Sequence, residues 1–307
     1  VSRGLGDVYK RQLQSPSTRC RIYAPVGHHQ DLLAYLVRRL LENGANSSFV
    51  NQIFDDDVPS DVVAADPFEK MGRVGPKIVL PEALFAPQRL NSSGYDLADP
   101  VVLHSLQSGR ILVGDWTFGC KGSKQTVINP ANGQKIGQVY FASRLEAQHM
   151  IRQAQPWAEP VEKRIKVLRK VADIYEKNAH ELFALLTHEA GKTLPDCIGE
   201  LREAVDFLRY YAAQGQKDGR SASGIFTCIS PWNFPLAIFT GQIVAALVMG
   251  NGVLAKPAEN TSRIAHFAVN LMHEAGVPKS SLQIVPGFGA DVGPVLCGDP
   301  KISGVCF

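Results

Sequence analysis

The chain has 307 residues, of which 45% are hydrophobic and 20% charged, and its formal net charge is +3. A chain of this length can bury the cores of two domains. The composition is ordinary for a globular protein, and so small a net charge does not indicate a nucleic-acid or acidic-surface binder. No stretch reaches the roughly 20 apolar residues of a membrane span, because polar residues and glycines interrupt the most apolar one, residues 238–254.

Six cysteines are scattered along the chain: Cys20, Cys120, Cys197, Cys228, Cys297 and Cys306. None of them forms a C-x-x-C pair, so zinc sites and thioredoxin-type redox sites have no support, and we expect no metal site. Because no secretory signal is visible, we interpret the cysteines as reduced cytosolic thiols and predict a cytoplasmic protein.

The N-terminal part contains one organised unit. Residues 1–12 have no hydrophobic period, and we interpret them as a non-native leader, with a flexible native tail as the alternative. Residues 21–26 read as a short strand, and residues 31–42 have the apolar spacing of an amphipathic helix. A single strand-helix unit cannot bury both of its faces, so it is expected to belong to a larger domain.

Residues 55–125 contain many prolines and only short apolar runs, which favours an extended connector. The three aspartates at 55–57 have no further ligands at useful spacing, so a solvated loop is expected there rather than a metal site. Beyond the connector, strands are predicted near residues 127–128 and 135–141. Ser143 and Glu146 have the spacing of a capping box, which predicts a helix to about residue 155.

Long helices are predicted over residues 163–188 and 195–214, and Gly191 separates them. The following residues alternate between strand and helix patterns. The predicted strands are 225–230, 253–256 and 282–285, and the predicted helices are 239–249, 262–275 and 290–297. This order predicts a parallel sheet with crossover helices. Because such sheets bind ligands at the carboxyl ends of their strands, segments 230–235, 256–259 and 286–289 are expected to form one site.

Each of these segments has side chains suited to a nucleotide site. Lys256 can donate to a ribose hydroxyl or a phosphate, and Glu259 can accept both ribose hydroxyls while repelling a 2′-phosphate, which favours NAD over NADP. Gly287, Gly289 and Gly293 would let a pyrophosphate approach the start of a helix. Asn233 lies between two prolines that restrict the backbone, so its amide could donate to a developing oxyanion.

The sequences Pro-Trp-Asn-Phe-Pro at 231–235 and Lys-Pro-Ala-Glu at 256–259 resemble the aldehyde dehydrogenase superfamily, and the resemblance runs from about Thr126 to the last residue. The resemblance implies that Asn233 helps to form an oxyanion hole. It also implies an NAD site lined by Ser230, Trp232, Lys256, Glu259, Gly289 and Gly293.

Glu189-Ala190-Gly191-Lys192 matches the Glu-x-Gly-Lys of the same superfamily, whereas Gln242 and the Asn251-Gly252 strand entry depart from its usual pattern. The resemblance places the nucleophilic cysteine and the glutamate base beyond Phe307. It therefore implies that Cys306 belongs to a buried strand and is not the nucleophile.

Residues 21–27 and 35–51 are similar to the end of the proline dehydrogenase barrel in the proline utilization A family. The similarity implies that Arg38 and Arg39 grip the proline carboxylate, as suits a guanidinium fork. It also implies that Tyr23 shapes the same pocket with Glu42 nearby, and that the longer barrel binds FAD.

Together these features predict an α/β chain with four parts. The parts are a leader at 1–12, the last strand-helix unit of a (β/α)8 barrel at 13–54, a connector at 55–125, and the incomplete NAD-binding part of an aldehyde dehydrogenase fold at 126–307. The implied parent enzyme oxidises L-proline to Δ1-pyrroline-5-carboxylate with FAD and glutamate γ-semialdehyde to L-glutamate with NAD, whereas these residues alone are expected to be inactive.

Two alternatives remain open at this stage. One is a stand-alone NAD-dependent aldehyde dehydrogenase with another substrate range. The other is a DNA-binding regulatory role of the parent, which needs an N-terminal DNA-binding domain that this sequence does not contain. For the parent the resemblance implies a homo-oligomer and leaves open a peripheral contact with the inner membrane.

Overall fold

The computed structural model describes residues 28, 30, 32–33, 37, 57–63, 65–66, 79–110, 117–215, 219 and 221–307. The chain divides into two compact units, residues 1–78 and 79–307. In the first unit the described part contains helix α1 (Ser60–Val63) and four helical residues between positions 30 and 37. The predicted strand at 21–26 and four proposed proline-site residues lie outside the described residues: Tyr23, Arg38, Arg39 and Glu42.

The second unit begins with a segment that the sequence analysis assigned to the connector. It contains a 3-10 turn (Pro81–Ala83) and a ten-residue helix, α2 (Pro100–Gly109). The side chain of Asp99 caps α2 by accepting from the Val101 amide at 2.8 Å, and Pro100 occupies the first helical position. The prediction of an extended connector was therefore wrong for residues 100–109, because a proline at the first helical position favours a helix.

A small three-stranded sheet follows. It consists of β1 (Thr117–Gly119), β2 (Lys124–Ile128) and β3 (Lys135–Tyr140), in the order β1-β3-β2. Strand β2 is antiparallel to β3 and β1 is parallel to it. Helix α3 (Arg144–Gln153) then begins with the predicted capping box, in which Ser143 and Glu146 each bond to the other's backbone amide. Both predicted strands and the capping box are confirmed.

Three long helices form the next layer: α4 (Val161–Lys177), α5 (Ala179–Ala190) and α6 (Leu194–Gly215). The single helix predicted over residues 163–188 is broken at Asn178, which has φ −100° and ψ 28°. Its side-chain amide donates to the Ile174 carbonyl at 2.8 Å, so it competes with the helical backbone. Gly191 ends α5 in the left-handed conformation, with φ 68°.

The main sheet has four parallel strands in the order β6-β5-β4-β7. The strands are β4 (Ile225–Ile229), β5 (Gly252–Lys256), β6 (Leu282–Ile284) and β7 (Ile302–Cys306). The intervening helices are α7 (Ala237–Val248), α8 (Ser262–Ala275) and α9 (Gly289–Gly298). The predicted parallel sheet with crossover helices is confirmed, and its strand order reverses between β4 and β7.

Both faces of the main sheet are covered. Val253 and Ala255 pack into a core with the long helices on one face, while Leu254 between them packs with α3 and α9 on the other. Because successive strand residues point to opposite faces, β5 is buried along its whole length. Among the described helices, none is long and apolar enough to cross a bilayer.

The start of the main sheet is fixed by Asn251. Its side-chain oxygen accepts from the amides of Ser223 and Gly224 at 2.7 and 3.0 Å, and its amide donates to the Ala246 carbonyl at 3.1 Å. At Gly252 an added Cβ would lie 2.4 Å from the Gln155 carbonyl oxygen, so a side chain would not fit. The Asn-Gly entry to β5 therefore holds the amino ends of β4 and β5 together.

We predict that Leu168→Ala in α4 lowers the free energy of unfolding by about 3 kcal/mol, because the leucine is fully buried in the helical core. Urea unfolding followed by circular dichroism measures the change. The matched control is Leu145→Ala on the exposed side of α3, which should change that free energy by less than about 0.5 kcal/mol. Equal effects of the two variants would contradict the core assignment.

Candidate functional site

The three segments that the sequence analysis singled out lie at one edge of the main sheet. Each follows the carboxyl end of a strand, and β4, β5 and β6 are neighbours in the sheet. The Ser230 amide donates to the Lys256 carbonyl at 3.1 Å, which joins the first two segments directly. In open parallel sheets ligands bind at this edge, near the point where the strand order reverses. Here that point lies between β4 and β7.

Lys256, Glu259 and Gly289 form a connected cluster at this edge. Lys256 is the last residue of β5 and is 4% exposed, and its ammonium group donates to Glu259 Oε1 at 3.2 Å and to the Pro257 carbonyl at 3.1 Å. The same Oε1 atom accepts from the Gly289 amide at 2.7 Å. Glu259 therefore links the end of β5 to the first residue of α9, a contact that the sequence did not predict.

Glu259 is held in its ionised form. Burial alone would raise the pKa of its carboxyl group, but hydrogen bonds from its own amide and from Gly289, together with the charge of Lys256, lower the pKa below its ordinary value. The contacts of the carboxylate are therefore present above the ordinary pKa of a glutamate and weaken as the pH falls through the lowered value. At neutral pH the edge of the sheet carries an ion pair.

The loop after β4 presents three exposed side chains to solvent. Trp232 is 62% exposed, Asn233 and Phe234 are also exposed, and Pro235 is buried where the loop turns into α7. The Lys192 ammonium group lies 4.8 Å from the centre of the Phe234 ring, within cation–π range. Asn233 is thus accessible, as a residue that contacts a ligand must be.

The end of this loop is held by Glu200 from α6. Glu200 is 2% exposed, and its Oε2 atom accepts from the amides of Leu236 and Ala237 at 3.1 and 2.8 Å. Its other oxygen pairs with Lys192 Nζ at 2.8 Å. The first amides of a helix have no partner within the helix, so a buried carboxylate satisfies them and matches the helix dipole. Glu200 thereby fixes where α7 begins.

Glu189 caps the start of α8, the helix that follows Glu259, in the same way that Glu200 caps α7. Its two oxygens accept from the amides of Arg263 and Ile264, each at 2.8 Å. Burial raises the pKa of Glu189 to about 7, although these two hydrogen bonds and the charge of Arg263 oppose the rise. Glu189 and Lys192, the ends of the Glu-x-Gly-Lys match, therefore both support the starts of helices behind the site loops.

Glu200 was missed by the sequence analysis. Glu189 and Lys192 were identified there only as part of the match to the Glu-x-Gly-Lys pattern, without a structural role. A lone glutamate in a long helix gives no signal of its partner when the contacted amides are 36 residues away. The helical pattern places Glu200 on the same buried face as Ala204. Because a charged residue is rarely fully buried unless it is paired, this position indicates that Glu200 has a buried partner.

The glycines in the third segment and in the first turns of α9 differ in how crowded they are. A Cβ at Gly287 would lie 2.9 Å from Val292, one at Gly289 would lie 3.6 Å from Glu259, and one at Gly293 would meet no atom within 4 Å. Only Gly287 is therefore required by the packing of the chain itself. Ser230 is buried, and within the described part of the chain its hydroxyl oxygen has no hydrogen-bond partner.

The position of Cys306 differs from the expectation of a buried strand. Strand β7 is the edge strand next to β4, and Cys306 is half-buried. Among the described residues only one side of β7 is paired with a strand, so Cys306 is less buried here than the family resemblance implies. In the same part of the chain, no three His, Cys, Asp or Glu side chains are grouped in a way that could hold a metal ion.

We predict that Glu200→Ala lowers the free energy of unfolding by about 3 kcal/mol, because it leaves two helix amides and the Lys192 ammonium group without their buried partner. Chemical denaturation measures the loss. Glu203→Ala on the exposed side of the same helix is the matched control and should change the free energy by less than about 0.5 kcal/mol. A Glu200→Ala variant as stable as this control would contradict the capping role.

Comparison with known proteins agrees with this fold. The model of the aldehyde dehydrogenase family matches residues 116–307, and that of proline dehydrogenase matches residues 2–52. The second match includes most of residues 1–12, so the interpretation of that segment as a leader gains no support. A crystal structure of a bifunctional proline utilization A (PutA) protein is 41% identical, with a TM-score of 0.64, and the match covers 99% of this chain and 31% of that one.

Curated relatives extend the comparison. "Bifunctional protein PutA" of Salmonella typhimurium is 46% identical over 331 aligned positions, which cover 98% of this chain and 25% of the relative. A 1-pyrroline-5-carboxylate dehydrogenase of Anoxybacillus flavithermus is 38% identical over 202 positions, 59% of this chain and 39% of the relative. The chain thus spans about a quarter of the length of the PutA relative. Because the family match at 116–307 covers more than half of its residues, the chain belongs to the aldehyde dehydrogenase family.

Proposed function

We propose that the chain carries the NAD-binding part of an L-glutamate γ-semialdehyde dehydrogenase within a bifunctional proline-oxidising enzyme. The observation that carries the proposal is the cluster of Lys256, Glu259 and Gly289 at the ligand edge of a parallel sheet. The similarity to PutA proteins across almost the whole chain supports glutamate γ-semialdehyde as the substrate. The match to proline dehydrogenase supports the proposal that the longer protein is bifunctional. In the longer protein the proline-oxidising half would use FAD.

The cluster suits the ribose of NAD. Glu259 Oε1 is occupied by Lys256 and Gly289, which orients the carboxylate and leaves its Oε2 atom to accept from ribose hydroxyls. The lowered pKa keeps the group negative, so a 2′-phosphate at the same place would be repelled. The Lys256 ammonium group, held at the end of β5, would donate to the same ribose.

The start of α9 suits the pyrophosphate. The Gly289 amide already donates to Glu259, so the phosphate contacts would fall to the amides that follow it. The open space around Gly293 lets a ligand approach the backbone closely. The buried Ser230 hydroxyl and the exposed Trp232 ring would complete the walls of the site at the end of β4.

Asn233 would act in the chemical step. NAD, when bound, supplies the hydride acceptor. The Asn233 amide, exposed in a loop whose end Glu200 holds, would donate a hydrogen bond to the oxygen of the aldehyde as negative charge develops on it. The thiol that attacks the aldehyde and the base that activates water are proposed to lie in the longer protein. These 307 residues alone are then expected to bind NAD without turnover.

A stand-alone aldehyde dehydrogenase is the second candidate, but the proline dehydrogenase match ahead of the family match disfavours it. A homo-oligomeric state of the longer protein and a DNA-binding role remain expectations from the family resemblance. No contact in the described part of the chain favours either one.

We predict that the 307-residue chain binds NAD more tightly than NADP, and that Glu259→Ala weakens NAD binding about tenfold, equivalent to about 1.4 kcal/mol. The same variant should reduce the preference for NAD over NADP, because the carboxylate that repels the 2′-phosphate is gone. Isothermal titration calorimetry measures the dissociation constants for NAD and NADP. Glu274→Ala on α8 is the control for loss of a carboxylate. Equal NAD affinity of wild type and Glu259→Ala would refute the ribose assignment.

We predict that, in the longer protein, Asn233→Ala lowers kcat for glutamate γ-semialdehyde by about 10²–10³-fold and leaves NAD affinity unchanged, because the amide acts only on the developing oxyanion. Steady-state kinetics and NAD titration of the same preparation separate the two effects. Asn132→Ala, in the exposed turn between β2 and β3, serves as the control. Comparable turnover of propanal and the semialdehyde by the wild type would favour the stand-alone candidate.

A further inference from the structure

Two cysteines face each other across neighbouring strands of the main sheet. Cys228 in β4 and Cys306 in β7 are register partners in a parallel pair. Register partners point to the same face of the sheet, and neighbouring strands lie about 4.8 Å apart. That separation is within the roughly 4.4–6.8 Å between Cα atoms that a disulfide spans. Both thiols are free in the structure.

The two thiols have unequal acidity. A hydrogen bond with Cys228 lowers the pKa of Cys306 to about 6, although partial burial opposes the shift. The pKa of Cys228 is raised well above its ordinary value, mainly by the same hydrogen bond and in second place by burial. These opposite directions make Cys306 the more acidic of the two thiols and so the one that attacks first. Tyr211 of α6 also interacts electrostatically with Cys306, and the pKa of Tyr211 is raised, chiefly by burial.

Of these two cysteines, Cys306 is the more exposed one. It lines a mainly apolar cavity of about 480 Å³ between α6, α7 and β4, together with Phe207, Tyr211 and Met249. Cys228 is 1% exposed, so a reagent reaches it through Cys306. Cys120 and Cys197 differ from Cys306, because burial raises the pKa of each to about 11. Thiolate character and access therefore coincide at Cys306.

We propose that Cys306 and Cys228 are a redox-active dithiol, which a small neutral disulfide oxidises to an intramolecular disulfide. The Cys306 thiolate attacks one sulfur of the reagent, which forms a mixed disulfide and releases one reagent thiolate. Cys228 then loses its proton and attacks Cys306 Sγ, which releases the second reagent thiol. In sum the protein loses two hydrogen atoms and the reagent disulfide is reduced to two thiols. The cross-link would join β4 to β7 two residues before Ser230.

The 307-residue chain is incubated without denaturant with bis(2-hydroxyethyl) disulfide, a neutral reagent that suits the apolar cavity. Remaining thiols are alkylated, and the intact mass and the peptides are measured by mass spectrometry. The proposal predicts a loss of two hydrogen atoms and a peptide that links Cys228 to Cys306. A mixed disulfide at Cys306 that never converts to the cross-link would overturn it.

Three variants separate the steps. Cys306→Ser should leave Cys228 reduced, because the attacking thiol is gone, and Cys228→Ala should stop at a stable mixed disulfide on Cys306. Cys297→Ser, which removes an exposed cysteine in α9, should still form the cross-link. Circular dichroism checks that each variant is folded. If Cys228→Ala does not fold because Cys228 is a core residue, the result for Cys306→Ser by itself decides which thiol attacks first. Rapid modification of Cys228 in Cys306→Ser would contradict the proposal. None of these readouts depends on NAD binding.

Discussion

The main constraint on this structure is that the starts of helices α7 and α8 lie in the protein interior, where their first amides cannot reach water. Two buried carboxylates satisfy them: Glu200 at the start of α7 and Glu189 at the start of α8. Each helix follows a loop at the ligand edge of the main sheet. The positions of the loops that carry Asn233 and Glu259 therefore depend on acidic side chains that do not belong to the site.

The electrostatics of the site follow from this arrangement. Lys192 neutralises Glu200 and also lies over Phe234, so one cation connects the helix α6 to the loop after β4. At the neighbouring loop Lys256 and Glu259 form a second ion pair, which α9 completes through the Gly289 amide. In both places a lysine is paired with a glutamate, so these charged groups are held in fixed orientations at the edge of the sheet.

Local patterns were sufficient for much of the fold. The capping box at Ser143, the helix Ser262–Ala275 and the alternation of strands and helices after Gly224 all depend on neighbours a few residues apart, and the structure confirms them. Helix α2 was missed because the proline at its first position was read only as a marker of extended chain. The break at Asn178 was missed because its side-chain hydrogen bond to Ile174 competes with a helix that the apolar spacing continues.

The sequence by itself determined that the chain has a parallel α/β sheet with an Asn233 loop, a Lys256–Glu259 segment and a glycine-rich helix start at one edge. These features rest on periodicity and short motifs. Only the tertiary structure decided that Glu200 caps α7, that Gly289 donates to Glu259 and that Cys306 lies beside Cys228. Such contacts join residues roughly 30 to 80 positions apart, and they depend on strand order and register, which local spacing does not specify.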